Sequence, residues 1–191
     1  MTAAAARDRT LAWSAPALAA MVLAILAVQG AGEAGVRTAV RATARTSAAL
    51  LCLALASHAF ADGQALVRRR PGLVRSLAVS HGLHLLVVLR LAWLTSGDNL
   101  RARASAVNVA GSLLAYAVLA AAFFRPEHRW VDRGLVWVWG AFLAAYAPRA
   151  IGQPLLYGPF VAALVAALVL RLAGAFARRR PVAVPREDLA T

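Results

Sequence analysis

Apolar runs of about 20 residues recur along this chain, and they constrain its fold more than any other feature. Helices of that length match the hydrocarbon thickness of a bilayer and satisfy their own backbone polar groups inside lipid. Hydrophobic residues make up 61% of the chain, and its mean hydropathy is +0.66, which is too apolar for an average soluble domain. We therefore predict an all-α fold, a polytopic helical bundle in a membrane.

Six of these runs are long enough to be transmembrane helices, and the segments between them are rich in Arg, Gly and Pro. The predicted spans are about 11–29, 46–66, 77–96, 105–124, 131–147 and 155–176. Residues 1–10 are expected to form a cytoplasmic leader, and residues 178–191 a basic cytoplasmic tail. The alternative for the first run is a cleaved signal peptide, but the run exceeds the usual apolar length of about 7–15 residues, which favours a retained helix.

The charge distribution predicts the orientation. The chain has 21 basic and 8 acidic residues, and every basic residue is Arg. The arginines lie in short clusters between apolar runs, which argues against a nucleic-acid-binding surface. When the loops are assigned to alternate sides, thirteen arginines fall on the side of the termini and six on the other. The positive-inside rule then predicts that both termini of this multi-pass protein are cytoplasmic.

A basic stripe precedes the second predicted span. Arg37, Arg41 and Arg45 recur every four residues and therefore share one helix face. We expect this face to lie at the lipid headgroups, with its guanidinium groups extended toward the phosphates.

Two histidines in the third run are the main candidates for chemistry. His81 and His84 are three residues apart, so they share one helix face. An ionisable group inside a membrane is costly unless it is paired, faces the bundle interior or binds something. His58 in the second run is expected at a similar depth, in the cytoplasmic half, with Asp62 one turn away. Imidazoles at one level of a bundle can ligate a metal or a haem iron, or can hydrogen-bond across helices.

Several of these residues resemble a known family. Ala42 to Ser47, A-T-A-R-T-S, is followed by an apolar helix, an Arg-Pro loop and then A-V-S-H-G-L-H-L-L. This pattern resembles the bacterial ferric-reductase-like transmembrane proteins, over about residues 30–150. The resemblance implies a six-helix unit that binds b-type haem through histidines of its third and fifth helices and passes electrons across the bilayer. It implies that His81 and His84 are iron ligands.

The fifth predicted helix departs from this pattern. Trp130 to Gly134 contains no histidine where the family carries one. The candidates for a second ligand are His128, close to the start of that helix, and His58 on the second helix. The remaining alternatives are a five-coordinate haem and loss of the cofactor.

Three functions remain open at this point. The first is transmembrane electron transfer through haem b, with electrons from a separate flavin or nicotinamide reductase or from a quinol. The second is a haem-free membrane scaffold or accessory subunit, and the third is a small-solute or proton-coupled carrier. The chain contains no phosphate-binding glycine loop, paired-cysteine motif or hydrolase motif. Cys52 is the only cysteine, so no intrachain disulfide forms.

Overall fold

Helices account for the regular structure of the chain. The computed structural model describes the backbone of residues 3–59, 65–96 and 106–179, and the side chains within these ranges except those of 3–10, 58, 65, 106–109 and 178–179. The described residues form helices and turns but no strand, which confirms the all-α prediction. The helices are α1 (Ala3–Gln29), α2 (Glu33–Ala56), α3 (Ala65–Leu94), α4 (Ala106–Phe124), α5 (Arg129–Gly152) and α6 (Pro154–Arg179), with a short 3₁₀ turn at Ser57–Ala59 after α2.

Five of these helices are long and apolar enough to cross a membrane. The spans are Leu11–Gln29, Glu33–Ala56, Leu66–Leu94, Arg129–Gly152 and Pro154–Ala177. The protein is therefore a multi-pass integral membrane protein. The apolar part of α4 that the structure describes, Ala110–Phe124, is shorter, so a sixth span stays a prediction. Asp62, the predicted turn at 97–104 and the tail from residue 180 lie outside the described residues.

Five helices close into a ring. Among the described residues, each of α2, α3, α4 and α5 packs against the next helix in the chain, and α6 returns to pack against α2. Helix α1 lies outside this ring and packs against α2 and α3. The last helix of the ring thus completes a bundle that the first one begins.

A leucine from every ring helix is fully buried in the core. These are Leu51, Leu77, Leu119, Leu135 and Leu164, none more than 2% exposed. Lipid tails are as apolar as leucine. Burial of these leucines therefore stabilises the bundle through close packing rather than through removal of apolar surface from water. A smaller cluster, built on Val22, Val36, Ala39 and Val87, joins α1 to the ring.

Hydroxyl groups connect neighbouring helices. Ser14 and Ser76 join α1 to α3 through oxygens 2.6 Å apart, and Ser47 and Ser80 join α2 to α3 at 2.9 Å. The indole Nε1 of Trp139 donates to the Leu164 carbonyl at 2.8 Å and joins α5 to α6. Without water as a competing partner, each such bond contributes roughly 0.6 kcal/mol and at most about 2 kcal/mol.

An ion-pair cluster fixes three helices at one end of the ring. Asp132, at the start of α5, pairs with Arg70 of α3, and its carbonyl accepts a 3.1 Å hydrogen bond from Nη2 of Arg171 on α6. Both guanidinium groups are 16% exposed, and the Asp132 side chain is 34% exposed. Because the cluster is only partly exposed to solvent, its charges are less screened than those of a surface ion pair.

The structure moves two of the predicted spans toward the N-terminus. The second apolar helix is Glu33–Ala56 rather than 46–66, and α3 begins at Ala65 rather than at residue 77. The short turn that precedes α2 depends on two glycines. Gly30 has φ +81°, and a Cβ at Gly35 would lie 1.9 Å from the Gly30 carbonyl oxygen. Because α2 begins at Glu33, the basic stripe of Arg37, Arg41 and Arg45 lies within this apolar helix.

Candidate functional site

The ring encloses a cavity of about 820 Å³ that all five of its helices line. Its volume falls within the range of roughly 300–1,000 Å³ found for ligand sites. Its apolar wall includes Val40, Val88, Phe142 and Leu156. Its polar wall carries imidazole, phenol, hydroxyl and guanidinium groups but no carboxylate among the described residues. The cavity is thus suited to a ligand with an apolar body and polar or anionic groups.

His84 is held in one orientation by α2. Its Nδ1 lies 2.9 Å from Oγ1 of Thr43. The same hydroxyl lies 2.8 Å from the Ala39 carbonyl and 3.1 Å from the Val40 carbonyl. A hydroxyl has one hydrogen, and a backbone carbonyl takes it here, so this geometry favours Nδ1–H of His84 as the donor to Thr43. The neutral tautomer then leaves the Nε2 lone pair for a ligand in the cavity.

His81 is buried beside His84 and is 8% exposed. Its ring stacks on Tyr116 of α4 at 4.5 Å and on His84 at 5.7 Å between centroids, and it contacts Phe142 of α5 at 5.3 Å. Its Nδ1 has no hydrogen-bond partner among the described residues. A buried imidazole nitrogen without a hydrogen-bond partner costs folding free energy.

Four arginines line one part of the cavity. Arg37, Arg41 and Arg45 come from α2, and Arg149 comes from the last turn of α5. Arg45 lies over the ring of Phe160, with 5.5 Å between its Cζ and the ring centroid. The α2 arginines, which are expected at the lipid headgroups, line this cavity from the helix that begins at Glu33.

The structure does not bring His128 to this site. His128 is the exposed N-cap of α5, where its Nδ1 accepts a 3.3 Å hydrogen bond from the Trp130 backbone N–H. The α5 residue that contacts His81 is Phe142, fourteen positions later, which is about 21 Å along a helix. The ring of Phe142 therefore occupies the position on α5 at which a second histidine ligand would be needed.

His58 also lies elsewhere in the bundle. Its backbone is in the 3₁₀ turn after α2, and its side chain is outside the described residues. His84 is level with Thr43, fifteen positions before His58, so the two differ in depth by about 20 Å. The prediction that they share one depth is wrong, because α3 begins at Ala65, and His84 lies nineteen residues from its start and ten from its end.

The side chains of the cavity fit a haem held by one histidine but not a haem held by histidines of two helices. No second histidine of the described residues faces His81 or His84 from another helix, so the residues do not fit an iron held by imidazoles of two helices. No group of three or more His, Cys, Asp or Glu that would hold a bare metal ion occurs among the described residues either. A haem supplies four ligands of its own and needs one imidazole from the protein. The oriented His84 at the cavity wall fits that requirement.

Sequence reasoning identified both histidines of the cavity but missed the residues around them. Tyr116, Phe142 and Arg149 come from helices whose neighbours cannot be read from periodicity. Thr43 lies within the A-T-A-R-T-S segment, but its contact with His84 spans 41 positions. Arg45 carried a signal, because a stripe of arginines on an otherwise apolar helix also indicates a polar interior cavity.

Comparison of the chain with protein-family models, with curated proteins and with solved structures found no match.

Proposed function

We propose that this protein is a membrane haem protein similar to the ferric-reductase-like group, with a single imidazole, that of His84, as the protein ligand to the iron. The observation that carries the proposal is the hydrogen bond between His84 Nδ1 and Thr43 Oγ1, 2.9 Å long, at the wall of an 820 Å³ cavity. Metal-binding histidines commonly use their second ring nitrogen in this way, which fixes both the tautomer and the ring orientation.

The neighbouring residues have distinct roles in this proposal. Tyr116 stacks on His81, and Phe142 contacts the same ring, so aromatic side chains form the wall beside His81. His81 lies beside the proposed ligand His84 and stacks on its ring. His84 is the preferred ligand because Thr43 holds its ring, whereas His81 lacks such a partner.

Bound haem would supply one-electron chemistry, and the protein would set its position and its low-dielectric surroundings. The function supported best is transmembrane electron transfer. A separate flavin or nicotinamide reductase or a membrane quinol would be the electron donor.

The first test is the visible absorption spectrum of the protein purified in detergent after expression with a haem supply. We expect a Soret band that shifts when carbon monoxide is added to the reduced protein, because an iron held by one histidine of the protein would be able to bind an added ligand. The band is expected to be lost in His84→Ala. It should remain in His128→Ala, which removes an exposed histidine at the other end of α5.

Two results would contradict the proposal. One is a flat visible spectrum from folded, haem-supplied protein. The other is a six-coordinate, low-spin spectrum that depends on His128 or His58, which would restore a ligand pair joining different helices.

A haem-free scaffold is the second candidate, and one observation favours it. The bonds Thr43–His84, Ser47–Ser80 and Ser14–Ser76 all join neighbouring helices, so His84 also acts as a structural contact. A flat spectrum together with a lower melting temperature of His84→Ala would support this second candidate.

A further inference from the structure

The haem proposal does not use the arginines of the cavity. Arg37, Arg41, Arg45 and Arg149 line it together with Gln153 and Tyr157, and we call these six residues the cationic rim. Arg41 and Arg149 are exposed, whereas Arg45 is half-buried over Phe160. The rim thus extends from the exposed side of the cavity toward its aromatic wall.

The carboxylates of the described residues neutralise only part of the positive charge of the rim. Glu33 pairs with Arg37. No carboxylate of the described residues forms an ion pair with Arg41, Arg45 or Arg149. Arginines that follow one another at i, i+4 on a helix repel each other. An anion held between α2 and α5 would relieve this repulsion and accept charge-assisted hydrogen bonds.

The rim borders an apolar interior rather than open water. Tyr146 contacts Tyr157 and Phe160 at centroid distances of 6.0 and 5.6 Å, and this aromatic cluster continues to Phe142 and His81. A ligand here therefore meets cations at one end and aromatic rings at the other.

We propose that the cationic rim binds the oxyanion, a carboxylate or a phosphate, of an amphipathic ligand whose apolar part fills the cavity. Guanidinium groups match both oxyanions through paired N–H donors. The inference stands on the rim and the cavity, and it holds whether or not His84 binds iron. A lipid phosphate and the propionates of haem are two sources of the same chemistry.

The test uses the full-length protein expressed without a haem supply and purified in a nonionic detergent. Dodecyl phosphate is titrated while the melting temperature is followed by tryptophan fluorescence, with dodecanol and inorganic phosphate as separate probes. We expect saturable stabilisation by dodecyl phosphate and a weaker effect of either probe alone. Arg45→Gln and Arg149→Gln are each expected to weaken the binding of dodecyl phosphate by about tenfold or more.

Arg90→Gln is the matched control. Arg90 is an exposed arginine that lies over Trp93, outside the cavity lining. This variant should therefore bind dodecyl phosphate with the affinity of the unmodified protein. Arg41→Gln changes an exposed rim residue and provides a further variant if the other two do not fold. The inference is overturned if dodecanol stabilises as much as dodecyl phosphate, or if folded rim variants keep the unmodified affinity.

A haem titration of the same variants identifies the source of the anion. Weaker haem binding in Arg45→Gln, with His84 intact, assigns the rim to the propionates. Unchanged haem binding with lost dodecyl phosphate binding assigns it to a lipid phosphate. A flat visible spectrum combined with rim-dependent binding of dodecyl phosphate would refute the haem proposal alone.

Discussion

Thr43 illustrates at the scale of a single residue how a buried hydroxyl sets the chemistry of its neighbour. It is fully buried on α2, and its oxygen lies within 3.1 Å of two backbone carbonyls as well as within 2.9 Å of His84 Nδ1. The two carbonyl contacts favour donation of its hydrogen within its own helix, which leaves the oxygen as an acceptor for His84. The sequence alone identified His84 as a candidate, but not which of its nitrogens is free, because that depends on a residue 41 positions away.

Replacing Thr43 tests this relation directly. Thr43→Val keeps the shape of the side chain and removes the acceptor, so the imidazole loses its orienting bond. We expect haem affinity to fall by about 10- to 100-fold, as for other residues that orient metal-bound histidines. Titration of haem into the apo-protein, followed at the Soret band, measures the change.

Thr43→Ser is the control for that measurement, because it keeps the hydroxyl and removes only a methyl group. It should bind haem nearly as the unmodified protein does. Equal affinities of the Val and Ser variants would show that Thr43 does not orient the ligand.

At the scale of the helices, the positions of arginines explain both the successes and the errors of prediction. The fourth predicted span ends at residue 124, before Arg125 and Pro126, and α4 ends at Phe124. The predicted spans place Arg45 just before the second span and Arg70 between the second and third, yet both lie inside helices. An arginine inside a membrane helix is stable where it faces a cavity or an ion-pair partner. Those partners lie on other helices and cannot be read from local sequence.

The ion-pair cluster at Asp132 yields a stability prediction for the contacts between helices. Asp132→Asn removes the charge that Arg70 and Arg171 face and leaves two partly buried cations close together. Loss of one partner of a buried pair is strongly destabilising, but partial exposure screens this one, so we expect a loss of about 1–2 kcal/mol. Unfolding of the purified protein in detergent, followed by circular dichroism, measures it.

Glu33→Gln serves as the comparison, because the Glu33 and Arg37 side chains are 50% and 37% exposed. An exposed i, i+4 pair contributes only about 0.3–0.5 kcal/mol. If the two variants lose the same stability, the Asp132 cluster does not hold α3, α5 and α6 together.

At the scale of the whole molecule, composition and apolar length were sufficient to predict an all-α membrane bundle. They did not predict that α2 to α6 close into a ring or that α1 packs outside it. Hydropathy reports that a helix meets an apolar environment, and lipid and protein interiors are equally apolar. The neighbours of each helix depend instead on small side chains and cross-helix hydrogen bonds, such as those of Ser47 with Ser80.

The asymmetric distribution of arginines predicts that both termini are cytoplasmic. Alkaline phosphatase fused to either end should be inactive in bacterial cells, because it matures only outside the cytoplasm. Green fluorescent protein fused at the same positions should be fluorescent. An active phosphatase at one terminus would mean an odd number of membrane crossings and would contradict the prediction of six spans.

The closure of the ring between α2 and α6 has a consequence for biosynthesis. These two helices are the first and the last members of the ring in chain order, and Leu156 and Tyr157 of α6 form part of the cavity wall. During translation the cavity therefore remains incomplete until α6 has left the ribosome and entered the membrane. A ligand that needs the complete wall can be loaded only after α6 has been inserted beside α2.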